Sequence, residues 1–275
     1  MIRSLLYVPA HSQRFIAKAH ERGADAIILD LEDAVPSGSK IAARQALAQS
    51  VASVRQGGAR VFVRINTGSD QLADAMAACS AGADGLYIPK VRRAEDLAAL
   101  AASLGPIERE QGRAALQFVA LIEEPGAVLD ARAIAGAPRL LALAVGGEDL
   151  ALALGATPTP TVLQLPKLLV HYAAKAAGLL SFGLLRSTAD YTDLVAIEAA
   201  VREAREHGFD GATCVHPSIV PLLNAGFAPG TAEREWAARV LAAAQRHDGA
   251  FELDGKMIDA PVVARARYIL GSAGA

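Results

Sequence analysis

Eight short, almost wholly apolar runs, each followed by a longer amphipathic stretch, set the strongest limit on how this chain can fold. They are SLLYVPA (4–10), AIILDLE (26–32), VFVRIN (61–66), GLYIPK (85–90), FVALIE (118–123), LLALAVGG (140–147), LLSFGLL (179–185) and GATCVHP (211–217). Runs apolar at nearly every position belong to parallel strands covered on both faces, whereas half-exposed strands alternate. Helix-length segments such as SQRFIAKAHERGA and AEDLAALAASLG lie between them. A small signature recurs between a helix and the next strand: Gly23-Ala24-Asp25, Gly82-Ala83-Asp84-Gly85 and Gly208-Phe209-Asp210-Gly211. Glycine ends a helix there because it tolerates positive φ. The repeated turn marks a recurring βα unit, and eight such units close more naturally into an α/β (β/α)8 barrel than into an open doubly wound sheet.

The barrel is expected over residues 1–230. The tail, 231–275, is expected to form a helical extension: TAEREWAARVLAAAQRH and APVVARARYIL as helices, with the polar turn DGAFELDGK between them. It is too long for a loop and too small for an independent domain, so it is expected to pack over a barrel mouth, its own or a neighbour's. A chain that is 52% hydrophobic has apolar material for one sizeable core. A net charge of −2 with no basic stripe points away from nucleic acid. The N-terminus lacks a signal-peptide pattern and no apolar run suits a membrane span, so a cytoplasmic protein without a membrane partner is expected. Cys79 and Cys214, far apart in apolar runs, are expected to be reduced core thiols.

Barrel enzymes place their chemistry at the C-terminal strand ends. Here those ends are repeatedly ionisable: Asp30, Glu32 and Asp33; Arg64 and Asn66; Lys90; Glu123 and Glu124; Glu148 and Asp149; His216. Glu123 and Asp149 end adjacent strands, so their carboxylates can converge, and two close carboxylates repel unless a proton or cation lies between them. Oxygen donors with room for water and a chelating substrate suit magnesium. The alternatives are salt bridges, a helix cap at Asp149, or displacement by one position to Glu124 or Glu148. Arg64 is placed to hold a substrate carboxylate, or else to form an ion pair with Glu32 or Asp33. The six histidines show no metal-binding spacing, and His216 is expected to make a structural hydrogen bond. Gly146-Gly147 is too short for a dinucleotide fingerprint and is expected to let backbone approach a ligand.

In order along the chain, LLYVPAHSQRFIAKA, GADAIILDLEDAV, VRIN, GADGLYIPKV, LIEEPGAV, GGEDLALALG, GFDGATCVHP and DGKMIDAPVVARAR resemble the citrate lyase β-subunit-like family, with its malyl-CoA and citramalyl-CoA lyases. The resemblance runs from residue 4 to about 270. It implies a barrel of the phosphoenolpyruvate/pyruvate type and a Mg2+-dependent carbon–carbon lyase. It places the metal on Glu123 and Asp149 and a 2-oxo acid beside Arg64, with Glu32 and Asp33 orienting Arg64 or a bound water. It assigns acid/base work to Asp259 in the tail, donated by a neighbouring subunit of a homo-oligomer, a trimer or hexamer. Its substrates are an oxo acid and an acyl thioester. Two segments depart from the family pattern. TPTPTVLQLPKLLVHYAAKA carries Lys167 near where relatives have an arginine, and FGLLRSTADYTD carries Arg186, Asp190 and Asp193 after strand seven. Both border the region expected for the acyl or CoA arm, which leaves a class II aldolase of free hydroxy-oxo acids and a malyl-type thioesterase as further readings.

Overall fold

A computed structural model describes residues 1–189 and 191–271, so Asp190 and residues 272–275 lie outside the described residues. It divides into two compact units, 2–224 and a second from Ala225 on. The break falls a few residues before the 230/231 boundary expected from sequence.

In the first unit eight parallel strands follow one another in space: β1 (Ser4–Pro9), β2 (Ala26–Asp30), β3 (Arg60–Arg64), β4 (Gly85–Ile88), β5 (Gln117–Ile122), β6 (Leu140–Val145), β7 (Leu180–Phe182) and β8 (Ala212–Cys214). β8 pairs with β1, and a parallel bridge between Phe182 and Gly211 joins β7 to the start of β8. The sheet therefore closes into a (β/α)8 barrel, and the open alternative is excluded. Its interior holds Leu5, Ile28, Phe62, Tyr87, Val119 and Phe182, with Ala26, Ala142 and Ala144 making room for the rings. Gly85 has the same purpose, since a Cβ there would lie 2.8 Å from the Phe62 ring and 2.2 Å from the Gln117 carbonyl oxygen.

The recurring Gly–x–Asp turns staple the opposite end of the barrel from the strand ends that carry the ionisable residues. Gly23, Gly82 and Gly208 all take positive φ. Each following aspartate then accepts a main-chain N–H from the neighbouring strand: Asp25 from Arg3 at 2.8 Å, Asp84 from Val61 at 2.7 Å, and Asp210 from Ser181 at 2.7 Å. Arg3, Arg55 and Lys175 supply the countercharges. The Asp210 staple lies across β7 and β8, where pairing between the named strands is thinnest.

The second unit contains helices Thr231–Ala244 and Ala260–Gly271. Between them the chain makes a hairpin, β9 (Phe251–Leu253) and β10 (Lys256–Ile258), where sequence suggested only a polar turn. Asp254 and Gly255 both adopt positive φ, as a two-residue Asp-Gly hairpin turn requires. Ala237, Val240, Phe251, Ile258, Ala266 and Ile269 form its core. Among the described residues no helix is long and apolar enough to cross a membrane. Both cysteines are free and buried.

Candidate active site

At the C-terminal strand ends, a cavity of about 480 Å³ is lined by Tyr7, Asp30, Asp33, Arg64, Tyr87, Glu123, Asp149 and Lys167, among others. Parallel register explains the pairing on one side. Asp30 and Arg64 are the last residues of β2 and β3 and stand directly opposite each other. Their side chains form a two-pronged ion pair, Nε to Oδ1 at 2.7 Å and Nη2 to Oδ2 at 2.6 Å. The Asp30 oxygens also accept the N–H groups of Glu32 (2.9 Å) and Ala34 (3.1 Å), so the carboxylate is fixed before it meets the arginine. Arg64 Nη1 lies 3.0 Å from Glu32 and 3.1 Å from Asp33, and the guanidinium carbon sits 5.0 Å from the centre of the Tyr7 ring. Burial opposes the charge on Arg64, but the Asp30 bonds and surrounding negative charge outweigh it and hold the group firmly protonated. Of the two sequence alternatives for Arg64, the ion pairs with Glu32 and Asp33 are present, and the residue also lines the cavity. Asp30, the residue that grips it most tightly, had no assigned role.

On the other side Glu123, just past β5, is 3% exposed. One oxygen accepts the main-chain N–H of Lys90 at 2.7 Å, a geometry that Lys90 reaches with φ of 52°. The Asp149 carboxylate lies within hydrogen-bonding reach of Glu123. Burial, and then the negative charges of Asp149 and Glu32, push the Glu123 carboxyl up to about 8 against the opposing pull of the Lys90 N–H. Gly146 makes this packing possible. A Cβ there would stand 2.5 Å from Glu123 Oε1 and 2.6 Å from its Cγ. Gly146, which sequence suggested for close approach to a ligand, lines the cavity and also admits a side chain of the protein. Asp149 lies in the first turn of helix Gly147–Leu154, but Gly146 is the cap residue and no side chain caps that helix. Glu124 turns away to pair with Arg92, and Glu148 accepts a hydrogen bond from Ser187. Glu123, Asp149 and Glu148 all line the cavity, and Glu124 does not.

Glu32 is buried, which raises its carboxyl pKa, and it lies 3.4 Å from Lys90 Nζ. Asn66 does not reach the cavity as a ligand-binding group. Its amide bonds Asp74 Oδ2 (2.7 Å) and the Leu31 carbonyl (2.9 Å), holding the chain just beyond Asp30. Lys167 is buried and donates to the carbonyls of Leu184 and Arg186, both at 2.8 Å, while burial lowers its pKa to about 8. It thereby fixes the loop after β7. His216 makes the expected structural bond, with Nδ1 2.7 Å from Ser218 Oγ. Asp259 belongs to the second unit, where its Oδ1 accepts the Val262 N–H at 3.2 Å and caps the last helix.

The site therefore offers two neighbouring carboxylates, one of them buried, across the cavity from a fixed guanidinium. Among the described residues no group of three or more His, Cys, Asp or Glu is arranged around a common metal position. An ion held by Glu123 and Asp149 would need further oxygen donors from outside the protein, such as water. The model of the HpcH/HpaI aldolase/citrate lyase family matches residues 3–217. The chain belongs to this family. It is 37% identical over 282 residues to a (3S)-malyl-CoA thioesterase of Cereibacter sphaeroides, covering 99% of this chain and 95% of that protein. It is 32% identical to citrate lyase subunit beta of Haemophilus influenzae, covering 98% and 95%. Its fold matches protein CitE of Mycobacterium tuberculosis, solved with magnesium, acetoacetate and coenzyme A, with a TM-score of 0.82, 30% identity and coverage of 99% and 98%. As a member of this family the chain is an enzyme of the citrate lyase beta-like group.

Proposed function

We propose that this family member is a magnesium-dependent carbon–carbon lyase that cleaves or forms a 3-hydroxy-3-carboxy acyl thioester, giving a 2-oxo acid and an acyl thioester. The convergence of the Glu123 and Asp149 carboxylates with Arg64 on one cavity carries this reading. Without a cation one of the two acids must keep a proton, since burial and like charge oppose double ionisation. An all-oxygen pair fits magnesium, which CitE of Mycobacterium tuberculosis binds. Held by Glu123 and Asp149, magnesium would supply positive charge to the oxygens of the oxo acid.

The protein's own groups account for the remainder. Arg64, gripped by Asp30 and flanked by Glu32 and Asp33, pairs with a substrate carboxylate and offsets negative charge that develops as the bond breaks. As the C–C bond breaks, the hydroxyl gives its proton to solvent and becomes the carbonyl of the oxo acid, the electron pair stays on the α-carbon of the departing thioester, and protonated Asp259 gives that carbon a proton; in the condensation direction ionised Asp259 removes one. Asp259 is supplied by a neighbouring subunit of a homo-oligomer. Mixing inactive Arg64→Ala and Asp259→Ala proteins tests this, since only shared sites regain turnover. Products of malyl-CoA and citramalyl-CoA are to be followed with magnesium and with EDTA. Release of glyoxylate or pyruvate together with an acyl-CoA, lost in EDTA and in Glu123→Gln, is expected. Undiminished cleavage in EDTA would overturn the proposal.

A second reading, hydrolysis of a malyl-type thioester at the same site, is favoured by the likeness to the (3S)-malyl-CoA thioesterase. It predicts malate and free thiol as products instead of glyoxylate and an acyl thioester.

A further inference from the structure

Tyr87 stands on β4 with no exposed surface, packed in the barrel interior with its ring edge-on to Tyr7 at 5.8 Å and 70°. It lines the same cavity as Arg64 and Glu123. Its hydroxyl makes no well-formed hydrogen bond with any described residue, although the Tyr7 hydroxyl lies within hydrogen-bonding reach. Native interiors rarely leave such a group unbonded, because desolvating it without a partner is costly. Phenylalanine would fill the same space without that cost, so packing alone does not explain the oxygen.

Its surroundings indicate what the hydroxyl meets. Burial keeps the phenol protonated, so it is available as a donor. The Arg64 guanidinium and the Glu123 carboxyl both act on it electrostatically. A neutral donor and a guanidinium lining one cavity are complementary to an anionic oxygen.

We propose that Tyr87 donates a hydrogen bond to a carboxylate oxygen of the bound 2-oxo acid and is a specificity residue of this site. The proposal rests on the reading that the cavity takes a 2-oxo acid. It differs from Arg64's role in supplying direction rather than charge.

Titration calorimetry of pyruvate and oxaloacetate into wild type and Tyr87→Phe, both with magnesium, tests it. The variant keeps the ring and removes one oxygen, so thermal unfolding serves as the control for folding. Both acids are expected to bind the variant about tenfold or more weakly, the loss of one hydrogen bond to a charged group, with no fall in unfolding temperature. Unchanged affinity for both acids, with or without a change in stability, overturns the proposal and assigns the hydroxyl to a fixed water or to no partner. Weakening of only one acid also overturns it, since the 2-oxo carboxylate is common to both. Wild type that binds neither acid sinks the proposed function itself, and this inference with it.

Discussion

Replacing Glu123 by glutamine should make the metal-free protein more stable at alkaline pH while abolishing its activity. Folded Glu123 holds its proton to about pH 8, whereas the unfolded chain releases it near the ordinary 4.5. Between those values the folded state binds more protons, so this group makes stability fall as pH rises. At about 1.4 kcal/mol per pKa unit, the penalty above pH 8 has a ceiling of about 5 kcal/mol. Water at the open mouth and the half-buried Asp149 reduce this, and a net penalty of about 2 kcal/mol is expected at pH 9. Glutamine avoids it. Its carbonyl can still accept the Lys90 N–H, and its amide can donate to Asp149. In EDTA the variant should already be about 1 kcal/mol more stable than wild type at pH 6, where the unfolded chain has released this proton and the folded one has not, and unfold about 4–8 °C higher at pH 9. Saturating magnesium should reverse the order at pH 9, because a ligand bound only by folded wild type raises only its stability. Thermal unfolding of both proteins monitored by circular dichroism at pH 6, 7.5 and 9, with magnesium and with EDTA, measures these differences. A variant no more stable than wild type at pH 9 in EDTA refutes the electrostatic argument. Equal stabilisation of both proteins by magnesium refutes the metal assignment.

Other expectations follow from single contacts. Asp30→Asn removes the charge that fixes Arg64, and kcat/KM should fall roughly a hundredfold, the usual scale for a misplaced binding group, with magnesium binding by calorimetry unchanged. Gly146→Ala forces a methyl into Glu123, so magnesium affinity should drop at least tenfold while circular dichroism remains that of the wild type. Asp210→Ala leaves the Ser181 N–H unbonded at the β7–β8 seam and should cost about 2 kcal/mol, or about 4–8 °C in Tm. An unchanged Tm would show that this turn does not hold the barrel closed.

Much of the barrel was legible because all eight strands are buried on both faces, so each announces itself as a short apolar run. The Gly–x–Asp turns showed that the same unit recurs, though not that their aspartates cross to the neighbouring strand. The hairpin Phe251–Leu253 and Lys256–Ile258 escaped notice because three-residue strands are too short for a periodic pattern. Asp254-Gly255 was the available signal. At the site, Glu123, Asp149 and Arg64 were visible as charges at strand ends. Asp30 was visible too, but its partnership with Arg64 depends on register: each is the fifth residue of its strand, and the strands pair from their first residues. Tyr87 was hidden by its own hydrophobicity, since a tyrosine within GLYIPK reads as one more core ring. Lys167 is visible within a helix-length segment, but its two carbonyl partners lie 17 and 19 residues away and are set only by folding.

The three aspartate staples have a consequence for how this chain can change. They tie the strands together at one end of the barrel, while every group assigned to chemistry in the first unit sits at the other. Closure and reactivity thus draw on different residues. Loops at the mouth, including the segment after β7, are free to be rebuilt for a new substrate without loosening the cylinder. A designer grafting substrate loops onto this scaffold should leave Asp25, Asp84 and Asp210 untouched and treat the opposite rim as interchangeable.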